Sequence, residues 1–144
     1  RLREDRLGDG DAMNNGFNPM RYDCERQGCF NKTHRPKIEL FADCFPGRIN
    51  FGDIDAIVEI NGKGLLLEWK SHAGALPMGQ KIMYTRLTKD HLLSVICVHG
   101  NAENMEIHHV AFVFGGKWHD WKPSSMEQLK DYIKKWVTWA QKAS

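Results

Sequence analysis

Residues 54–70 read Ile-Asp-Ala-Ile-Val-Glu-Ile-Asn-Gly-Lys-Gly-Leu-Leu-Leu-Glu-Trp-Lys, and this stretch decides the fold. Ile54, Ala56, Val58 and Ile60 alternate with Asp55, Ile57 and Glu59, the period of two expected of an extended strand. Asn61-Gly62-Lys63-Gly64 then breaks the run, and its Asn-Gly step is a hairpin cue because both residues tolerate positive φ. Leu65, Leu66 and Leu67 resume it and lead into Glu68-Trp69-Lys70. The pattern predicts a β-hairpin.

Side chains two apart on a strand share a face, so Glu68 and Lys70 point the same way. Pairing across the turn brings Asp55 alongside them. Ionised groups at the end of an apolar strand are costly unless paired or metal-bound, and two neighbouring carboxylates favour a divalent cation. Such a cluster suits phosphodiester hydrolysis: Asp55, Glu68 and the Trp69 carbonyl hold Mg²⁺ or Mn²⁺, while Lys70 orients the attacking water.

Outward from the hairpin, residues 77–89 read as a helix carrying Met78, Ile82, Met83 and Leu87. Leu92–Val98 and Ile107–Phe114 read as buried strands, with a polar turn at Gly100-Asn101 between them. Residues 124–143 form an amphipathic helix in which Met126, Leu129, Ile133, Trp136, Val137 and Ala140 recur at helical spacing, with its tryptophans packed in the core. Ser124 or Ser125 is its N-cap. Upstream, Ile38, Leu40 and Ala42 alternate with Glu39 and Phe41 and predict a first strand starting near Lys37. Residues 1–36 are rich in Gly, Asn and Asp and read as a loop-rich N-terminal segment of a single domain.

Three motifs occur in order: Gly52-Asp53-Ile54-Asp55, Glu68-Trp69-Lys70, and Gln80-Lys81-Ile82-Met83-Tyr84, whose Gln80 and Tyr84 share one helix face. This set resembles the PD-(D/E)xK nuclease superfamily, in particular its RecB-like branch with a Q-x-x-x-Y signature, and is also similar to Holliday junction resolvase-like nucleases. The resemblance covers roughly residues 37–98. It implies an α/β fold: a mixed central sheet flanked by helices, with a restriction-endonuclease-like αβββαβ core and, here, a C-terminal amphipathic helix. It further implies Asp55 and Glu68 as metal ligands, Lys70 as the catalytic lysine, and Gln80 and Tyr84 as DNA-backbone or bracing residues. The family's further acid has no clear counterpart; Glu39 and Asp53 are the better candidates and Glu25 the weaker. Arg48, Lys81 and Arg86 are the expected DNA contacts, with Arg35, Lys37 and Lys89 extending the patch.

The expected function is therefore a metal-dependent DNA nuclease, either structure-selective or acting as a homodimer that spans two strands. The alternative is a catalytically inactive nuclease-like DNA-binding or assembly module. Cys24, Cys29, His34 and Cys44 supply ligand types that a structural Zn²⁺ accepts, at spacings outside the standard patterns. Cys97, in an apolar run, reads as a buried free thiol. His108 and His109 are adjacent on a strand and are expected on opposite faces; His72 reads as a loop histidine, and His91, His99 and His119 carry no signal.

The 144 residues are 42% apolar, 26% charged and 10% aromatic, which excludes a disordered chain, a collagen-like repeat and a coiled coil. The formal charge of +2 does not announce a nucleic-acid binder but leaves room for a local basic patch. Four cysteines are too sparse for a disulfide scaffold, and no apolar run reaches the ~20 residues of a membrane helix. The opening Arg-Leu-Arg-Glu-Asp-Arg is charged throughout, so a reducing cytoplasm is the expected setting.

Overall fold

The computed structural model describes residues 36–74 and 76–142, and the chain divides into two compact units, Arg1–Gly52 and Asp53–Ser144. Three of the four candidate zinc ligands (Cys24, Cys29 and His34), together with Glu25 and Arg35, lie outside the described residues. The fourth, Cys44, is exposed.

The second unit is an α/β fold. Its strands are β1 (Ala56–Ile60), β2 (Lys63–Lys70), β3 (Leu93–Asn101), β4 (Glu106–Phe114) and β5 (Lys117–Pro123), and its helices are α1 (Met78–Leu87) and α2 (Met126–Lys142). The strands lie side by side in chain order. β2 and β3 are parallel and joined through α1; every other neighbouring pair is antiparallel. The sheet is therefore mixed.

The expected hairpin forms, but its turn is shorter than the break Asn61–Gly64, because Lys63 and Gly64 already belong to β2. Ile60 pairs with Lys63, leaving Asn61 (φ 55°) and Gly62 (φ 81°) as a two-residue turn with both φ positive. The carboxylate of Glu59 accepts the Gly62 N–H at 2.6 Å. The continuous leucines of β2 are explained by its position between β1 and β3: Leu65 faces one apolar core and Leu66 the other.

One core holds Leu65, Ile96, Val98, Ile107 and Val110 against Leu129, Trp136 and Ala140 of α2. The other holds Leu66, Val95, Cys97, Ala111 and Val113 against Tyr84 of α1. Because neighbouring strand residues alternate between these cores, α1 and α2 cover opposite faces of the sheet. Ser125 caps α2 through its hydroxyl, which accepts the Gln128 N–H. Trp136 is buried as expected, but Trp139 remains 42% exposed, with the Lys63 ammonium 5.8 Å above its ring. It lies outside the apolar stripe, so the expectation that both tryptophans pack in the core is corrected.

Two further expectations fail. The segment Ile38–Cys44 is a 3₁₀ helix with no buried residue, not the first strand. Its apolar residues Ile38, Phe41 and Cys44 also recur every third position, the period of a 3₁₀ turn, and five alternating residues do not separate the two readings. The polar turn falls at 102–105, with Gly100 and Asn101 inside β3; the Asn101 side chain accepts the backbone N–H groups of Glu103 and Asn104 and so closes the turn. Strand β5 was not expected, because its Trp-His-Asp-Trp run carries no continuous apolar pattern. It is registered by a glycine turn, Gly115 and Gly116, both with positive φ. The Gly116 N–H donates to the hydroxyl of buried Thr88 at 3.1 Å, which fastens the end of α1 to the β4–β5 hairpin.

Candidate active site

The pairing Ala56↔Leu67 places Asp55, one step on, opposite Glu68. Residues directly opposite in an antiparallel pair share a face, so both carboxylates lie on the α1 side, with Lys70 two residues further along. The Lys70 ammonium is 3.2 Å from Glu68 Oε2. Asp55, Glu68 and Lys70 thus come together on one face.

α1 delivers the next contacts. Tyr84 and Gln80, one turn apart, both reach Glu68: the Tyr84 hydroxyl donates to Oε1 at 2.7 Å, and Gln80 Nε2 lies 3.5 Å from Oε2. Glu68 is a buried acid, and its neighbours explain how the fold tolerates it. Burial, reinforced by the hydrogen bond to Glu68 and by the Glu68 charge, pushes the Tyr84 phenol far above its ordinary value, so it remains a donor. Cys97, registered beside Glu68 on β3, is a fully buried free thiol, and burial followed by the Glu68 charge pushes it up to about 12.

Asp55 is exposed and uses one oxygen, Oδ2, to accept the Trp69 N–H at 2.7 Å. The N–H and C=O of one strand residue point to the same side. The Trp69 carbonyl therefore also opens toward Asp55. Among the described residues no hydrogen bond engages Asp55 Oδ1. A carboxylate offers about four lone-pair sites, and Tyr84, Gln80 and Lys70 occupy three on Glu68. The remaining donors are two carboxylate oxygens and a main-chain carbonyl, all hard oxygens, and this set fits Mg²⁺ or Mn²⁺. No group of three or more His, Cys, Asp or Glu side chains that could hold a metal occurs among the described residues, so a cation here would have only the two carboxylates and the carbonyl to hold it.

The other sequence candidates are distributed as follows. Asp53 is exposed, two residues before Asp55. Glu39 and Arg48 belong to the other unit. Lys81 lies with its ammonium 4.5 Å from the ring centre of Trp118 on β5. Arg86 is exposed in the last turn of α1, and Lys89 is exposed just beyond it.

Sequence reasoning missed the histidines beside the site. β4 carries a bulge opposite His99/Gly100, so His108 and His109 together face the single residue His99. Both rings reach it, with centroid distances of 5.3 and 5.1 Å, and the expectation that they point to opposite faces is corrected. A bulge leaves no mark in the apolar pattern; the only available signal was the His-His pair itself. No helix among the described residues is long and apolar enough to cross a membrane. Comparison with known proteins gave no match to a family model, a curated protein or a solved structure.

Proposed function

We propose that this protein is a metal-dependent nuclease that hydrolyses phosphodiester bonds of DNA, with Asp55, Glu68 and Lys70 as its hydrolytic centre. The observation that carries this reading is the convergence of Asp55, Glu68 and Lys70 on one sheet face, with α1 aimed at the same carboxylate. Asp55, Glu68 and the Trp69 carbonyl would hold the cation. Mg²⁺, when bound, supplies charge neutralisation at the scissile phosphate and a water of lowered pKa. Lys70 faces the same space and orients the attacking water by hydrogen bonding, while its charge offsets that developing on the phosphate. Tyr84 and Gln80 fix the Glu68 carboxylate so that it meets the cation without rearranging. The resemblance to PD-(D/E)xK nucleases rests on these same positions in the same order.

The test is incubation of the full chain with supercoiled, linear, single-stranded and branched DNA, with Mg²⁺ or Mn²⁺ and with chelator. Chelator-sensitive cleavage that Glu68→Gln and Lys70→Ala reduce at least 100-fold is the expected result. Folded protein that cleaves none of these forms refutes the hydrolase.

One observation favours a second reading. Three donors from the chain itself already engage Glu68, and in an inactive nuclease-like DNA-binding or assembly module that internal pairing is the carboxylate's whole role. DNA affinity that falls steeply with salt, without cleavage or metal binding, identifies that module.

A further inference from the structure

Glu68 is registered beside Cys97 on β3, and Cys97 beside Ala111 on β4; two residues along, Lys70 lies beside His99, and His99 beside His109. Steps of two keep the same face, so Lys70, His99 and His109 form a row across three strands on the α1 side, adjoining the candidate active site. The bulge adds His108, and His72 follows β2 at the same end. His99 and His109 are half-buried, and His72 and His108 are exposed.

We propose that His99, His108 and His109, together with Lys70, form a proton-gated site for a phosphodiester group, which holds a backbone phosphate next to the one being cleaved. Only the choice of a nucleic-acid strand as occupant rests on the nuclease reading; the anion site stands on the histidines themselves.

Two observations carry it. The first is the His99–His109 contact. The rings are within 16° of coplanar, with Nδ1 atoms 2.9 Å apart and centroids 5.1 Å apart, so the two Nδ1 atoms face one another edge to edge. One nitrogen donates and the other accepts. Once both rings carry Nδ1–H the contact holds two donors and no acceptor, and an anionic oxygen supplies the acceptor both require. The second is charge. Facing His99 are Lys70 and His72 from the β2 side and His108 and His109 from β4, all basic. Among the described residues no carboxylate forms an ion pair with any of the four histidines. Partial burial, then the neighbouring imidazoles, lower the His99 pKa, while a backbone hydrogen bond with Ser71 opposes them. Burial and the neighbouring imidazoles thus favour the neutral form of His99, and its protonation adds positive charge beside Lys70, for which a phosphodiester is a fitting counter-ion.

The test uses the full chain in chelator. Histidine Cε1–H resonances are followed from pH 8 to pH 5 with and without dimethyl phosphate, a phosphodiester whose charge is constant over that range. The midpoints of His99 and His109 should rise by at least 0.5 pH units with dimethyl phosphate. Its affinity should be at least fivefold tighter at pH 5.5 than at pH 7.5, and a single-stranded oligonucleotide should displace it. His99→Gln should abolish the effect, and His108→Gln, at an exposed position, should weaken it at least twofold in folded protein. Unmoved midpoints overturn the proposal even if the protein cleaves DNA. Dimethyl phosphate binding that the oligonucleotide does not displace overturns the assigned occupant. Histidine shifts without metal-dependent cleavage leave the anion site standing and remove the nuclease.

Discussion

Replacing Tyr84 by phenylalanine removes one oxygen from the contact between α1 and β2. Tyr84 is 2% exposed and Glu68 7%, and the hydroxyl lies 2.7 Å from Glu68 Oε1. Water cannot take its place without opening the core, so the carboxylate oxygen loses its donor while remaining buried. A hydrogen bond to a charged group contributes about 1.5–3 kcal/mol, and we expect Tyr84→Phe to destabilise the fold by about 2 kcal/mol. For a unit the size of Asp53–Ser144 this lowers Tm by on the order of 10 °C. The hydroxyl should matter less when its partner is neutral: in a Glu68→Gln background the same substitution should cost about 1 kcal/mol. Urea unfolding of the four proteins of this double-mutant cycle measures the coupling. A loss below about 0.5 kcal/mol, or equal losses in both backgrounds, would show that the hydroxyl does not hold this carboxylate.

Other outcomes follow from single contacts. Cys97 is pushed from its ordinary 9.0 up to about 12, so folding favours the neutral thiol. Its stabilisation is complete below about pH 9 and is lost as pH rises through the interval to 12, with a cost of about 1 kcal/mol by pH 10. Urea midpoints between pH 7.5 and 10 should fall less steeply in Cys97→Ala, and parallel slopes would contradict the burial. In the native protein, mass spectrometry after iodoacetamide should find exposed Cys44 alkylated in minutes and Cys97 only at the rate of unfolding. Ser125→Ala should cost about 1 kcal/mol in thermal unfolding through loss of the α2 cap, with Ser125→Asp restoring most of it; an unchanged Tm in Ser125→Ala would show that the cap is dispensable.

The hairpin and α2 were legible because their signals are local. An Asn-Gly step between apolar runs has few alternative conformations, and a long apolar stripe at helical spacing has one. That Asp55 lies alongside Glu68 and Lys70 was legible from the same hairpin, but its register was not, because the break Asn61–Gly64 is two residues longer than the turn that forms. Gln80 and Tyr84 were legible as a shared helix face, but their target was not, because nothing in the sequence states how α1 crosses β2. The 3₁₀ segment Ile38–Cys44 was misread where a short alternation served two periods. The position of Cys97 beside Glu68 and the histidine row depend on the parallel β2–β3 register and on a bulge in β4, both set by tertiary packing.

Strand order equals chain order across the whole sheet, so each strand finds its partner next in line. Three of the four pairings close short hairpins, and only the step through α1 spans a longer loop. Such a topology has low contact order, and the entropy lost in each closure is small. The unit from Asp53 onward should fold within milliseconds, with the β2–α1–β3 crossover as its slow step. Tyr84 lies on that crossover, so Asp55 and Glu68 come together with the hairpin and the brace on Glu68 is added last.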